Sequence, residues 1–217
     1  NIELTNYFIN IQDIDKNIVD ENGYYAIHIA ASKGYDQLLS IFLDKKLYDP
    51  NLFTKSSYVS ETALILAIQS YHKKVVQILL ENGANTDLPN SKCIYPLHIA
   101  VEANDEECLK ILLKYPIDGN CRDSEGFTPL LLSSKQGKSS IFETLLLSEK
   151  VDINSITNDG DNIFFYSINK PLSINKLIFL LTIQNPDFNW NFQNSDGDTI
   201  LHCLVANSDY TEIKCLM

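Results

Sequence analysis

The stretch Ile27-His28-Ile29-Ala30-Ala31 returns along the chain as Leu97-His98-Ile99-Ala100-Val101 and, in part, as Leu201-His202-Cys203. Aligning these and weaker copies places one residue, usually glycine, five positions before the histidine position: Gly23, Ser60, Cys93, Gly126, Gly160 and Gly197. The steps between these residues are 37, 33, 33, 34 and 37. A period of about 33 residues is typical of a stack of small repeats, none of which can bury its apolar face alone. The spacing therefore predicts one elongated body with a long surface rather than a deep pocket.

Each repeat has the pattern of two short helices followed by a turn. In the third copy, Pro96 opens the first helix, where proline is tolerated because the first N–H groups of a helix have no partner within it. The second helix carries a wide apolar stripe from Cys108 to Leu113, and Pro116 ends it. The turn-rich segment 118–126 predicts a hairpin that leads to the next repeat.

These motifs resemble those of the ankyrin-repeat family, above all in Asp123-Ser124-Glu125-Gly126-Phe127-Thr128-Pro129-Leu130 and in the segment 75–85. The resemblance implies an all-α repeat solenoid of helix-turn-helix pairs joined by β-hairpin loops, in a single domain over residues 1–217. Residues 1–19 are expected to be the second helix and turn of a preceding partial repeat. The full repeats are expected near 20–56, 57–89, 90–122, 123–156, 157–193 and 194–217. The last of these is truncated, which suggests a piece of a longer intracellular protein.

The histidines of the repeated stretch, His28, His98 and His202, are the first residues to test as catalytic or metal-binding groups. They occur one per repeat, so no two of them can share a metal ion or a catalytic triad. In the family that the chain resembles, this histidine is a structural residue that hydrogen-bonds to a neighbouring repeat. The same resemblance implies structural roles for Gly126, Thr128 and Pro129. We expect no catalytic residue, no metal site and no cofactor.

The composition of the chain argues against nucleic acid and membrane as partners and indicates the type of compartment. The formal net charge of −11 disfavours nucleic acid, because an acidic surface repels phosphate. The five cysteines are scattered and include no closely spaced pair, which indicates free thiols in a reducing compartment, cytoplasmic or nuclear. No apolar run approaches the roughly 18 residues that a membrane span needs, so no membrane insertion is expected.

The resemblance implies that partner contacts come from the hairpin tips and from the exposed side of each first helix. Large apolar residues occupy the tips of the first four repeats, and exposed apolar patches often mark interaction sites. The residues expected to bind a partner are Tyr24, Ser32, Lys33, Tyr58, Val59, Lys92, Ile94, Phe127, Lys135 and Gln136. The alternative is that neighbouring tips simply pack on each other. The fifth and sixth repeats carry Asp161 and Asp198 at the same tip position, which would extend the surface as an acidic strip.

The leading hypothesis is a non-catalytic scaffold or adaptor module that binds another protein and is monomeric as a segment. A second hypothesis makes the segment the regulatory or spacer arm of an enzyme, such as a kinase, a palmitoyltransferase or an exchange factor, whose catalytic domain lies elsewhere.

Overall fold

The computed structural model of the chain describes residues 15–167 and 189–206. Most of the partial repeat expected at 1–19 lies outside these ranges. The apolar pattern of the sequence also predicts second helices around Leu177 and from Ile213, and both lie outside these ranges. The chain divides into two compact units, Asn1–Ile117 and Asp118–Met217. A single domain over 1–217 therefore stays a prediction.

The described part of the first unit contains three pairs of short helices. They are α1 Ala26–Lys33, α2 Asp36–Asp44, α3 Ala63–Gln69, α4 Lys73–Glu81, α5 Pro96–Glu102 and α6 Glu106–Leu113.

In this unit, the first helices of neighbouring repeats pack against each other, and so do the second helices. The first helices form the row α1, α3 and α5, and the second helices form the row α2, α4 and α6, with each first helix also packed on its own second helix. Ile27, Leu64 and Leu97 hold equivalent positions of the first row and are all fully buried. Because burial of each such side chain contributes about 1.5–3 kcal/mol, the stability of the unit arises at the contacts between repeats.

The described part of the second unit contains the helices α7 Pro129–Gln136, α8 Ser139–Leu146, α9 Ile163–Ser167 and α10 Ile200–Ala206. Helix α7 packs on α8 and on α9, and α9 packs on α10, which is the same first-to-first and first-to-second pattern. Phe164 of α9 is 1% exposed and is the largest of the fully buried side chains.

The link between the two helices of a pair requires a left-handed residue. Gly34 has φ = +72° and Gly137 has φ = +69°, and both end the first helix of their pair. The equivalent residues of the other pairs are Tyr71, with φ = +60°, and Asn104, with φ = +53°. Asparagine tolerates this conformation, but a tyrosine there is strained.

The connections between repeats reverse direction as predicted, but the described ones contain no strand. Their only β-type pairing is an isolated antiparallel bridge between Phe53 and Thr62. The predicted β-hairpins are therefore tight turns, because their outer residues hydrogen-bond to the neighbouring turn rather than forming a ladder of their own.

Candidate protein-interaction surface

Tight turns between repeats, here called the tips, lie at residues 20–24, 54–61, 90–94, 123–127, 157–161 and 194–198. In the third tip, the N–H of Asn90 donates to the carbonyl of Ile94 at 2.9 Å, and the N–H of Cys93 donates to the carbonyl of Asn90 at 2.9 Å. The Asn90 side chain accepts two more bonds, from the N–H groups of Lys92 and Ile94, each at 3.0 Å. The same backbone pair closes every other five-residue tip, so the tips are fixed by local bonds.

The second tip is longer than the others, in line with the 37-residue step that precedes Ser60. The N–H of Thr54 donates to the carbonyl of Glu61 at 2.9 Å, and the Glu61 N–H donates back to Oγ1 of Thr54 at 3.0 Å. Oγ of Ser60 donates to the Thr54 carbonyl at 2.8 Å, and Oγ1 of Thr54 donates to the carbonyl of Val59 at 3.4 Å. The insertion is therefore a closed, internally bonded loop.

Neighbouring tips of the first unit hold this loop on both sides. The Lys55 N–H donates to the carbonyl of Gly23 at 2.8 Å on one side. On the other side, Ser91 donates its N–H to the carbonyl of Ser60 and accepts the Ser60 N–H on its Oγ, both at 3.0 Å. Tyr58, near the middle of the loop, is 92% exposed. The exposed ring of Tyr58 thus lies on a loop that hydrogen bonds hold in place on both sides.

The residues expected to bind a partner differ widely in exposure. The exposed ones are Lys33, Tyr58, Lys92, Lys135 and Gln136, and the half-buried ones are Tyr24, Ser32, Val59 and Ile94. Those of the first unit come from its three tips and from α1.

Phe127 is an exception that corrects the sequence analysis. It is only 4% exposed, so it does not belong to an exposed apolar strip. Its ring lies 5.2 Å from the ring of Tyr166, between centroids, and Nζ of Lys135 lies 4.0 Å from its centroid. Lys135 is also paired with Glu125 at 3.3 Å. The Phe127 ring thus packs on side chains of α7 and α9 within its own unit.

Asp161, at the same tip position as Phe127, is also engaged within its own unit. Its carboxylate accepts bonds from the hydroxyl of Tyr166 and from Nδ2 of Asn194, both at 3.0 Å. Burial raises the pKa of Tyr166 to about 12. Part of the expected acidic strip therefore joins neighbouring repeats.

The repeated histidines lie in two different environments. His28 is fully buried: Nδ1 accepts the N–H of Tyr25 at 3.3 Å, and Nε2 donates to the carbonyl of Leu52 at 2.9 Å, in the next connection. His98 is 1% exposed, with its ring 5.8 Å from that of Tyr95. His202 is exposed, and its Nδ1 accepts a bond of 2.7 Å from Oγ1 of Thr199. His28 thus fixes α1 to the connection that leads to the next repeat, while His202 bonds locally at the start of α10.

The remaining residues expected to be structural begin α7. Thr128 is the N-cap, its Oγ1 accepting the N–H of Leu131 at 3.4 Å, and Pro129 follows as the first helical residue. Gly126 has φ = +83°, and a Cβ there would lie 2.7 Å from the backbone nitrogen of Asn158. The close approach of the next tip thus requires glycine at this position.

His72 joins two repeats and was not singled out from the sequence. Its Nε2 donates to the carbonyl of Ser32 at 3.1 Å, and its ring lies where a Cβ on Gly34 would be, at 2.5 Å from Nδ1. The sequence contains one sign of this contact: residue 34 is a glycine, and the lack of a side chain there leaves room for the His72 ring.

A second residue that the sequence did not single out is Glu61, at the base of the second tip. It is 8% exposed. Its Oε1 accepts bonds from Nε2 of Gln69 at 2.9 Å and from Nδ2 of Asn90 at 3.5 Å. The phenol of Tyr24 is near enough for the negative charge of Glu61 to raise its pKa, after the larger effect of burial. Glu61 therefore joins the second tip to the third by a hydrogen bond.

The described residues offer little for catalysis. They include no group of three or more histidine, cysteine, aspartate or glutamate side chains that could hold a metal ion. The Cys108 thiol is buried, and this burial, with the nearby Asp105 carboxylate, raises its pKa to about 12. That thiol stays protonated and unreactive at neutral pH. In the described ranges, no helix has the length and apolar character that crossing a membrane requires.

Comparison with known proteins agrees with this architecture. The family model described as ankyrin repeats (3 copies) matches residues 1–90 and 82–159. An ankyrin repeat protein of Acanthamoeba polyphaga mimivirus is 27% identical over 195 residues, covering 88% of this chain and 25% of the relative. Mouse Rabankyrin-5 is 27% identical over 158 residues, covering 72% of this chain and 13% of the relative. The chain thus spans a quarter or less of the length of these two relatives.

Among solved structures, the ankyrin repeat domain of Bcl-3, a member of the IkappaB protein family, superposes with a TM-score of 0.76 at 18% identity. The match covers 93% of this chain and 86% of that one. At this identity the likeness supports the fold alone. It confirms the fold class expected from the sequence, an all-α repeat fold of helix-turn-helix pairs.

Proposed function

Since the chain belongs to the ankyrin-repeat family, whose repeats are a general protein-interaction module, we propose that it is a non-catalytic scaffold or adaptor segment that binds another protein through the tips of its first unit. The partner-binding residues of this proposal are Tyr24, Tyr58, Val59, Lys92 and Ile94, together with Ser32 and Lys33 of α1. Lys135 and Gln136 are the proposed contacts in the second unit.

The observation that carries the proposal is the placement of Tyr58. A tyrosine that is 92% exposed gains nothing from the fold, yet the loop beneath it is held by hydrogen bonds from both neighbouring tips. Interface hot spots are enriched in tyrosine, which supplies a large contact area at low entropic cost. Because the loop is already held in place, binding costs less conformational entropy.

The test replaces Tyr58 by serine and compares proteins captured from a cell lysate by the wild-type chain and by the variant. Tyr35 is the matched control, because it is 54% exposed and lies between α1 and α2, away from the tips. We expect Tyr58→Ser to lose specific partners and Tyr35→Ser to retain them, with both variants folding normally. An unchanged set of captured proteins for Tyr58→Ser would show that this tip is not the binding surface.

The alternative proposal, a regulatory or spacer arm of an enzyme, draws on the length of the relatives. Both are at least four times as long as the region that they share with this chain, and so carry further segments. The sequence that adjoins this segment in its parent protein would decide between the two. In either case we propose an intracellular location, since Cys93 is an exposed free thiol at a tip.

A further inference from the structure

Glu61 is a carboxylate that the fold buries without giving it a cation. Its two hydrogen bonds come from neutral amides, Gln69 and Asn90, and both go to Oε1. No described Lys, Arg or His group forms an ion pair with it. Oε2 accepts no hydrogen bond from a described residue, and it is not among the fully enclosed atoms that lack a partner. One oxygen of a mostly buried carboxylate thus has no partner among the described residues and is not fully enclosed.

Another buried carboxylate of the same unit, Asp105, has a cation beside it. Asp105 is buried to the same extent, 8% exposed, but Nζ of Lys73 lies 3.4 Å from its Oδ1. Because burying a charge is costly unless it is paired, an enclosed carboxylate normally has such a partner. Glu61 would acquire one only from outside the described part of the chain.

The surroundings of Glu61 suit a positively charged side chain with an apolar stem. Tyr24 is half-buried and follows Gly23, whose carbonyl accepts the Lys55 N–H at 2.8 Å, so it lies where the first and second tips meet. Burial raises the pKa of its phenol, and the nearby charges of Glu61 and Asp20 raise it further. Aromatic rings attract cations through their faces. Lys55, the lysine of the second tip, lies over the ring of Tyr25, at 5.4 Å from the centroid, and makes no ion pair with Glu61.

We propose that Glu61 and Tyr24 form a recognition point for an arginine or lysine side chain of the partner protein, with Tyr58 contacting the residues beside it. This inference rests on the proposed function, because it assigns the partner chemistry of the same tips. The cation would donate to the free Oε2 of Glu61 and lie against the Tyr24 ring, and arginine suits both contacts because its planar group can donate and stack. The partner segment is thus basic, in keeping with the net charge of −11 of this chain.

The test uses N-acetyl-arginine methylamide as the probe and N-acetyl-citrulline methylamide as its neutral counterpart of nearly the same shape. Each is titrated into the full chain while the Glu61 carboxyl carbon and the Tyr24 ring are followed by NMR. We expect the arginine probe to shift both signals and the citrulline probe to bind at least about tenfold more weakly, since hydrogen bonds to charged groups are the stronger ones.

Two variants separate recognition from a structural role. Glu61→Gln keeps an oxygen that can accept from Gln69 but removes the charge, so it should weaken arginine binding about tenfold or more without lowering the urea midpoint. Glu21→Gln, at an exposed residue of the first tip, is the charge-matched control and should change neither quantity. Equal binding of the two probes, or unchanged arginine binding by Glu61→Gln, would overturn the inference.

The failure of this inference differs from that of the proposed function. If Tyr58→Ser loses the captured partner while Glu61→Gln retains it with full affinity, the surface is correct and the cation site is wrong. If Tyr58→Ser retains the partner, the proposed surface is wrong, and the probe titration alone decides on Glu61. A lower urea midpoint for Glu61→Gln, with no difference between the probes, would assign Glu61 a purely structural role.

Discussion

The backbone N–H of Lys55 donates to the carbonyl of Gly23 at 2.8 Å, which brings the first and second tips into direct contact. Gly23 has φ = +81°, and a Cβ on it would lie 2.4 Å from the carbonyl carbon of Lys55. That neighbour is backbone and cannot rotate away. The contact therefore depends on glycine for both conformation and space.

Gly23→Ala should destabilise the chain by about 2–5 kcal/mol, because the left-handed conformation and the backbone overlap both oppose the added carbon. The control is Gly83→Ala: Gly83 has φ = +85° but nothing within 4 Å of an added Cβ, so only the conformational cost applies. That cost is about 1–2 kcal/mol. Urea unfolding of both variants measures the difference, and equal losses would contradict the tip contact.

Cys93→Gly should stabilise the chain by about 1 kcal/mol. Cys93 has φ = +60° at a tip position that four other tips fill with glycine, at φ between +77° and +83°. The control is Lys92→Gly, which adds the same flexibility to the unfolded chain one residue earlier without relieving a left-handed residue. It should be neutral or destabilising. A thermal unfolding series would refute the expectation if both variants moved the midpoint in the same direction.

Phe127→Ala should cost about 3–5 kcal/mol, as expected for a buried aromatic side chain. The ring is 4% exposed and packs on Tyr166, so its loss leaves a cavity. Tyr58→Ala, which truncates a side chain that is 92% exposed, should stay within about 0.5 kcal/mol of the wild-type chain. Denaturant titrations compare the two, and a similar small effect at both positions would place Phe127 on the surface after all.

Stability should fall as the pH drops below about 6.5, partly because of His28. Burial lowers the pKa of His28 below its ordinary value of 6.5, an effect only partly offset by its bond to Leu52. Between the two pKa values the unfolded chain binds a proton that the folded chain does not, so acid favours unfolding. Above pH 6.5 both states are neutral at this residue, and its effect disappears.

The variant His28→Leu tests this contribution, since the chain itself has Ile65 and Leu131 at the equivalent position. The variant loses the bond to Leu52, so it should be less stable at pH 7.5. Its stability should then change less between pH 7.5 and 5.5 than that of the wild-type chain. An equal pH dependence of the unfolding free energy in the two proteins would remove His28 as a cause.

Periodicity predicted most of the fold because it reflects local requirements. Thr128 and Pro129 begin a helix for reasons contained in the segment itself, and the structure confirms both positions. The strained backbone of Tyr71 could also have been predicted from the sequence. Aligning the repeats pairs Gly34 with Gly137 and places Tyr71 at the same glycine position.

The exposure of the tip residues could not be predicted in the same way. Tyr58 and Phe127 are both aromatic residues of tips, yet one is 92% exposed and the other 4%. The difference arises from the neighbouring repeat, since Phe127 meets Tyr166 about 40 residues later, whereas Tyr58 lies on an insertion. Glu61 was missed for the same reason, because Asn90 of the next repeat reaches it only after the repeats have packed.

Asparagine side chains form the same pair of hydrogen bonds between neighbouring repeats in both units. Nδ2 of Asn51 donates to the carbonyl of Gly83 at 3.2 Å while its Oδ1 accepts the N–H of Asn85 at 2.7 Å. Asn120 makes the same two bonds, to Lys150 at 3.2 Å and from Asp152 at 2.6 Å. Each asparagine side chain bonds only to backbone groups of the next repeat. These bonds therefore do not depend on which side chains that repeat carries. The side chains of the next repeat can therefore diverge without loss of these two bonds.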